Sequence, residues 1–305
     1  MPAPDVLDRL ADDDVALVRE LVHTVSAADG VPPLSDHVML HLPVGGDSNV
    51  KHLLVRGPAG LSGYAHLDVT DQVAGSSAEL AVHPGHRGQG IGRALTEELL
   101  RLTPDGRLRL WAHGDRPEAS KLAASLGFER TRSLWQMQRP LADPLPKVSL
   151  PDGVSLRTFL VGQDEASWTA LNNRAFAGHP EQSDWGLEEI EVRKAEPWFD
   201  PAGFFLAVRD DELVGFHWTK VHGGHSHGDH AHEPVGEVYV VGVDPSEQGR
   251  GLGPALTLVG LQHLRDSGLR DVMLYVDESN TNAIRVYEGL GFTRVATDVS
   301  FSRAV

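Results

Sequence analysis

The chain is 305 residues long, enough for two ordinary domains, each with its own core. A formal net charge of −16 argues against nucleic acid, whose binding needs clustered Lys and Arg, and suits a solvated protein that accepts a cationic substrate. With no cysteine, disulfides, thiolate metal sites and cysteine nucleophiles are excluded, and without a signal-like segment after Met1 or a bilayer-spanning apolar run, a cytoplasmic location is expected.

Val15, Leu17, Val18, Leu21 and Val22 recur at helical spacing and predict a first helix. Runs from His52 to Val55 and from Gly63 to Val69 predict a strand pair. A third apolar run, Leu80-Ala81-Val82, turns at His83-Pro84 into a glycine-rich loop, Gly85-His86-Arg87-Gly88-Gln89-Gly90-Ile91-Gly92, and then a helical pattern. A strand from Leu108 to Trp111 and a helix closing on Leu126-Gly127-Phe128 follow. Pro140, Pro144, Pro146 and Pro151 lie among small and polar residues, so 140–151 reads as a linker between domains 1–139 and 152–305.

The second half repeats the order. Trp168, Leu171, Ala175 and Phe176 predict a helix after Asp164-Glu165. Phe204 to Val208 and Leu213 to Trp218 predict a hairpin turning at Asp210-Asp211. Val241-Gly242-Val243 then turns at Asp244-Pro245 into a second loop, Ser246-Glu247-Gln248-Gly249-Arg250-Gly251-Leu252-Gly253-Pro254. Ala255, Leu256, Leu258, Val259, Leu261 and Leu264 give the next helix a broad apolar face, ended by Gly268. A strand from Val272 to Val276 and a helix closing on Leu290-Gly291-Phe292 complete two copies of one mixed α/β unit.

In each loop several backbone N–H groups can converge on one anion, and the following helix N-terminus adds its dipole. Neither loop fits Gly-x-Gly-x-x-Gly, since Pro254 and Leu256 stand where glycine would recur, and no Gly-Lys-Ser/Thr occurs. Both fit (Arg/Gln)-x-x-Gly-x-Gly, through Arg87, Gly90 and Gly92 and then Gln248, Gly251 and Gly253. This resembles the pyrophosphate-binding motif of the GNAT acetyltransferase family, and the segment Asn280 to Phe292 resembles that family's second hallmark.

The resemblance implies two tandem GNAT-like domains of α/β class, each a twisted, mainly antiparallel sheet flanked by helices. It implies acetyl-CoA as co-substrate, with no metal required. In the first copy Leu80, Ala81, Val82, Arg87, Gly88, Gln89, Gly90, Ile91 and Gly92 would hold it. In the second copy Val241, Gly242, Val243, Gln248, Gly249, Arg250, Gly251, Leu252, Gly253 and Pro254 would do so, together with Asn280, Thr281, Asn282, Ala283, Ile284 and Arg285. In this family the strands part beside the motif strand, which would free backbone N–H groups at Val241, Gly242 and Val243, with Gly242 easing a bulge.

Amine acetylation needs a base to take a proton from the ammonium and an acid to protonate the leaving thiolate. Glu237, before the motif strand of the second copy, suits the first task and Tyr287 the second. Aligning the loops puts Ser76 opposite Glu237, and aligning the Gly-Phe pairs puts Ala123 opposite Tyr287. Chemistry is therefore expected in the second copy alone.

The tandem arrangement is most similar to one actinobacterial branch of the family, whose acceptor is the small-molecule amine cysteinyl-glucosaminyl-inositol. That similarity implies substrate contacts at Asp36, Glu181, Lys220, Glu237 and Tyr275, with Asp36 reaching in from the first domain. Other acceptors, such as an aminoglycoside or a peptide N-terminus, stay open, as does a non-catalytic acetyl-CoA- or metal-binding protein. The stretch 222–232 carries five histidines, but its irregular, glycine-rich spacing reads as a mobile loop over the active site rather than a metal site. The Gly224-x-Ser226-x-Gly228 match within it lacks the strand–turn–helix setting of a serine nucleophile. No membrane or nucleic-acid partner is expected, and the internal duplication is compatible with a monomer.

Overall fold

The computed structural model describes residues 3–35, 38–39, 42, 50–58, 60–69, 75–178, 185–222 and 234–303. Two compact units emerge: Met1–Trp135 with Asp277–Ser279 and Ala296–Val305, and Gln136–Val276 with Asn280–Val295. This division differs from a split at the proline-rich stretch. Leu141 is fully buried and its N–H donates to the Arg270 carbonyl at 2.7 Å, which ties the stretch into the second unit. The end of the chain returns to the first unit by long-range strand pairing, which no local pattern announces.

The first unit contains β1 (Asp5–Leu7), α1 (Asp12–Asp29), β2 (Val50–Gly57), β3 (Gly60–Asp68), β4 (Ser76–Val82), α2 (Ile91–Leu102), β5 (Leu108–Ala112) and α3 (Pro117–Ser125). β6 (Glu129–Pro140) begins there and ends in the second unit. Three acidic residues, Asp12, Asp13 and Asp14, favour the positive end of α1, and Gly30 at φ +76° closes it. Its apolar face (Val15, Val18, Leu21, Val22, Val25) packs on Leu54, Leu61, Tyr64 and Ala81 of the sheet. The opposite sheet face (Leu53, Val55, Ala65, Ala78) packs on Ile91, Leu95 and Leu99 of α2. The strand order is β1-β2-β3-β4-β5-β12, where β12 is Thr293–Arg303 and its residues 299–303 pair with 108–112. Among the described residues β4 and β5 run parallel here, while β1–β2, β2–β3, β3–β4 and β5–β12 are antiparallel.

The second unit adds β7 (Ser155–Thr158), α4 (Glu165–Ala175), α5 (Leu187–Lys194), β8 (Phe204–Arg209), β9 (Glu212–His222), β10 (Val235–Val243), α6 (Leu252–Asp266), β11 (Asp271–Asp277) and α7 (Thr281–Gly289). Its strand order is β6-β11-β10-β9-β8-β7. Asp210 and Asp211 both adopt left-handed φ, +50° and +64°, as a two-residue hairpin turn requires. The sheet face under α4 is aromatic: Trp168 meets Phe204, Phe216 and Trp218 edge-on, and Phe204 stacks on Trp218 at 4.5 Å. On the other face His217 is wholly buried beside the Leu256 carbonyl (2.7 Å), and burial lowers its pKa to about 4. A Cβ at Gly260 would lie 2.0 Å from the His217 ring, so glycine is required there.

Candidate active site

The two loops fold into the same backbone from different residues. In the first, the His83 ring accepts from the Gly85 N–H, a short 3-10 turn spans Pro84–His86, and Gly88 and Gly90 take φ of +74° and +83°. In the second, the Asp244 carboxylate accepts from the Ser246 N–H, the turn spans Pro245–Glu247, and Gly249 and Gly251 take +77° and +84°. Gly90 and Gly251 each cap the helix that follows. A Cβ on Gly88, Gly249 or Gly251 would meet nothing within 4 Å, so these glycines serve backbone conformation and leave open space before the helix end. Gln248, Gly249 and Arg250 are exposed, Arg250 leaning towards the buried Glu247 carboxylate. These exposed loop residues leave the start of the following helix accessible.

In the second unit β10 and β11 pair in parallel at Gly236↔Val272 and Glu237↔Met273, and the pairing ends there. Beyond Glu237 no further pairing of β10 with β11 follows among the described residues. The expectation of a bulge at Gly242 needs correction. The bulge lies between Val238 and Val240, where Tyr239 is the extra residue. Gly242 is glycine because a Cβ would sit 2.4 Å from the Phe216 ring.

That bulge aims the carboxylate. Val241 and Val243 pack on Leu252 and Leu256 of α6, and alternation alone would put Glu237 on that same side. The extra residue reverses the parity, so Glu237 sits opposite Lys220, on the face of Trp218 and α4. Glu237 is buried, and its Oε2 lies 2.6 Å from His222 Nε2. Lys220 reaches over the rings of Trp198 (5.0 Å) and Tyr239 (5.5 Å). Tyr275, on β11, is exposed.

Tyr287 lies in the last turn of α7, its ring edge-on to Phe292. Burial pushes its phenol up to about 12, so it holds its proton at neutral pH. Asn280 caps α7 by accepting from the Ala283 N–H at 3.1 Å, a structural task that fixes the helix start. Asp36 and Glu181 lie outside the described residues, as do four histidines of the 222–232 stretch, His225, His227, His230 and His232. Among the described residues no group of three or more His, Asp or Glu side chains is placed to hold a metal. No helix among them is long and apolar enough to cross a membrane.

The first unit has the matching cleft. β4 and β5 pair from Ser76↔Leu108 to Glu79↔Trp111 and then part. A cavity partly open to solvent lies there against Leu80, Ala81, Val82 and Arg87, with Trp111, His113, Leu122 and Ala123 opposite. Arg87 forms a two-point contact with Asp29 at the end of α1 (2.9 and 2.7 Å). The turns after α3 and α7 agree in detail: Phe128 N–H bonds the Ala123 carbonyl as Phe292 N–H bonds that of Tyr287, both at 3.0 Å. Ala123 thus occupies the Tyr287 place. Between β3 and β4 the register runs without a shift, so Ser76 shares the face of Ala78 and α2.

Sequence reading missed a second carboxylate on the α1 face of β4. Glu79 accepts from the N–H and hydroxyl of Ser35 (2.6 and 2.7 Å) and lies 3.3 Å from His113, which also meets Asp298 at 3.0 Å. Burial pulls the His113 pKa down, but the two carboxylates outweigh it and raise it to about 10. The partners come from four separate stretches of chain, so only alternation along Glu79-Leu80-Ala81 hinted at the face.

Known proteins agree with this architecture. A family profile described as "Acetyltransferase (GNAT) family" matches residues 167–292, and one described as "Acetyltransferase (GNAT) domain" matches residues 50–130. In overall fold the chain resembles a GCN5-related N-acetyltransferase from Sphaerobacter thermophilus (TM-score 0.76, 25% identity, 99% of this chain and 96% of that one). It also resembles a tandem GNAT protein from the clavulanic acid biosynthesis pathway (TM-score 0.73, 20% identity, 98% of each chain). Fold and duplicated cradle define an acyltransferase with two GNAT domains.

Among curated relatives, the mycothiol acetyltransferase of Streptosporangium roseum is 53% identical over 97% of both chains. That of Acidothermus cellulolyticus is 55% identical over 97% of this chain and 93% of its own. The chain belongs to the GNAT acetyltransferases and, within them, to the mycothiol acetyltransferase family.

Proposed function

We propose that the chain transfers the acetyl group of acetyl-CoA to the cysteinyl amine of cysteinyl-glucosaminyl-inositol, the last step of mycothiol biosynthesis, and that the second unit does the chemistry. The observation that carries the site assignment is the bulge that turns Glu237 to the α4 face of β10 where β10 and β11 part. Acetyl-CoA supplies an activated acyl carbon when bound. The cradle 248–254 and the cap of α7 suit its pyrophosphate, and β10 at Val241, Gly242 and Val243 is proposed to offer N–H groups to its carbonyl.

Glu237 takes a proton from the acceptor ammonium, which frees the nitrogen lone pair for attack. Tyr287, kept protonated by burial, gives its proton to the departing sulfur. Lys220, held over two rings beside Glu237, suits the hydroxyl groups of the sugar or inositol, and the exposed Tyr275 can close on them. Asp36 and Glu181 complete the proposed acceptor contacts.

In the first unit the proposed role is to hold acetyl-CoA without turning it over. The cradle backbone and the cleft support binding, while Ala123 and the inward-turned Ser76 leave no acid or base at the places used in the second unit. The chain is proposed to act as a monomer in the cytoplasm.

The test is CoA release with cysteinyl-glucosaminyl-inositol, an aminoglycoside and a peptide amine as parallel acceptors. Turnover confined to the first, and lost in Glu237→Gln, supports the assignment. Turnover only with another amine would overturn the acceptor and keep the acetyltransferase. Calorimetry with CoA should give two sites per chain, and a single site would remove the first cradle from the proposal.

A further inference from the structure

The geometry points to His222 as the positioning residue of the acetyl transfer: its ring holds the Glu237 carboxylate in the orientation that receives the acceptor's proton. This rests on Glu237 being the base. His222 ends β9 opposite Val235, and Glu237 stands two residues further along β10, opposite Lys220. The two side chains are therefore diagonal neighbours on one sheet face, within reach of each other. Nε2 and Oε2 lie 2.6 Å apart, with the histidine side chain 21% exposed and the glutamate 8%.

A short, charge-assisted bond in a nearly dry setting fixes a carboxylate far better than one in water. The ring N–H donates to Oε2 and leaves Oε1 as the proton acceptor. One proton then moves from the substrate nitrogen to Oε1, the nitrogen–carbon bond forms, the carbon–sulfur bond breaks with Tyr287 protonating the departing thiolate, and His222 neither gains nor loses a proton. Among the described residues the bond to His222 is the one hydrogen bond that the Glu237 carboxylate makes. The groups facing Glu237 are Lys220 and His222 from β9, Met273 from β11 and Tyr239 on its own strand. Burial first, and Glu237's charge to a lesser degree, raise the Tyr239 phenol.

The experiment compares wild type, Glu237→Gln, His222→Ala and His222→Gln in steady-state turnover, with KM for acetyl-CoA measured alongside. His222→Ala should lower kcat about tenfold, the worth of one hydrogen bond to a charged group, with KM for acetyl-CoA unchanged. His222→Gln keeps a donor near the same place and should recover most of that loss. Raising the pH deprotonates the acceptor amine in solution and should narrow the gap between His222→Ala and wild type, which a merely structural defect would not allow. If Glu237→Gln keeps wild-type kcat, the base assignment itself falls. If Glu237→Gln is inactive while both His222 variants match wild type in kcat and pH profile, only the His222 assignment is overturned. If His222→Ala fails to fold, a His222→Gln variant that folds yet loses as much turnover as Glu237→Gln would also overturn it.

Discussion

The two units share a phosphate cradle and differ at the strand that leads into it. His83-Pro84-Gly85-His86 and Asp244-Pro245-Ser246-Glu247 build one backbone, glycine φ angles included. Upstream, β10 carries a bulge and β4 does not. One extra residue decides which face a carboxylate occupies, because side chains alternate along a strand. The second unit thereby gains a carboxylate at Glu237, buried beside one histidine. The first has its carboxylate at Glu79, boxed in by Ser35 and His113. Binding geometry and chemistry can thus diverge independently within a single fold.

The sharpest break of that comparison is at the carboxylate. Glu237→Gln should lower kcat by roughly 10²–10³-fold, within the range of general-base catalysis, with KM for acetyl-CoA unchanged. Tyr287→Phe should cost about 10²-fold in kcat, and the loss should ease for a thioester whose thiol leaves more readily. A wild-type kcat in either variant would sink its assignment.

His113→Leu leaves Glu79 and Asp298 partly buried and facing each other without the countercharge between them. A loss of about 3 kcal/mol of stability is expected from thermal or denaturant melts. The sign with pH follows from a folded pKa of about 10 against an unfolded value near 6.5. Stability from His113 is full below pH about 6.5 and is lost as pH rises through about 10. Wild-type melting should therefore fall across that window, and the decline should be shallower in His113→Leu.

Gly251→Ala has room for the methyl group but forces a left-handed φ, at about 1–2 kcal/mol, so KM for acetyl-CoA should rise up to tenfold. Gly90→Ala at the twin position should leave turnover and that KM untouched, and equal effects would contradict the division of labour. The smallest expected effect is none. Ser76→Glu with Ala123→Tyr, placed in Glu237→Gln, should restore no turnover, because without a bulge the new carboxylate points towards α2.

Much of this was legible in the chain itself. Both glycine loops, the helix beneath α1's apolar stripe and the Asp210-Asp211 hairpin follow from local rules of spacing and turn chemistry. The equivalence of Ala123 and Tyr287 also survives, because the Gly-Phe turn that anchors it is a local hydrogen-bond pattern. The bulge at Tyr239 left no such mark: nothing in Val238-Tyr239-Val240 differs from an ordinary buried strand. Gly242 offered itself as the irregular residue, yet its reason is the Phe216 ring on the neighbouring strand. The β1 strand and α5 were missed because three residues, or one short turn-flanked helix, carry too little periodicity.

The sequence by itself determined the family, the repeat, the cradles and the identities of the reactive side chains, since each depends on residues close together along the chain. Tertiary structure alone decided three things: that the last strand pairs with β5, that Glu237 turns to the α4 face, and that His222 and His113 meet carboxylates. Those outcomes depend on strand register and on partners at least 15 positions away, and a linear pattern carries no information about which of two sheet faces a shifted strand presents.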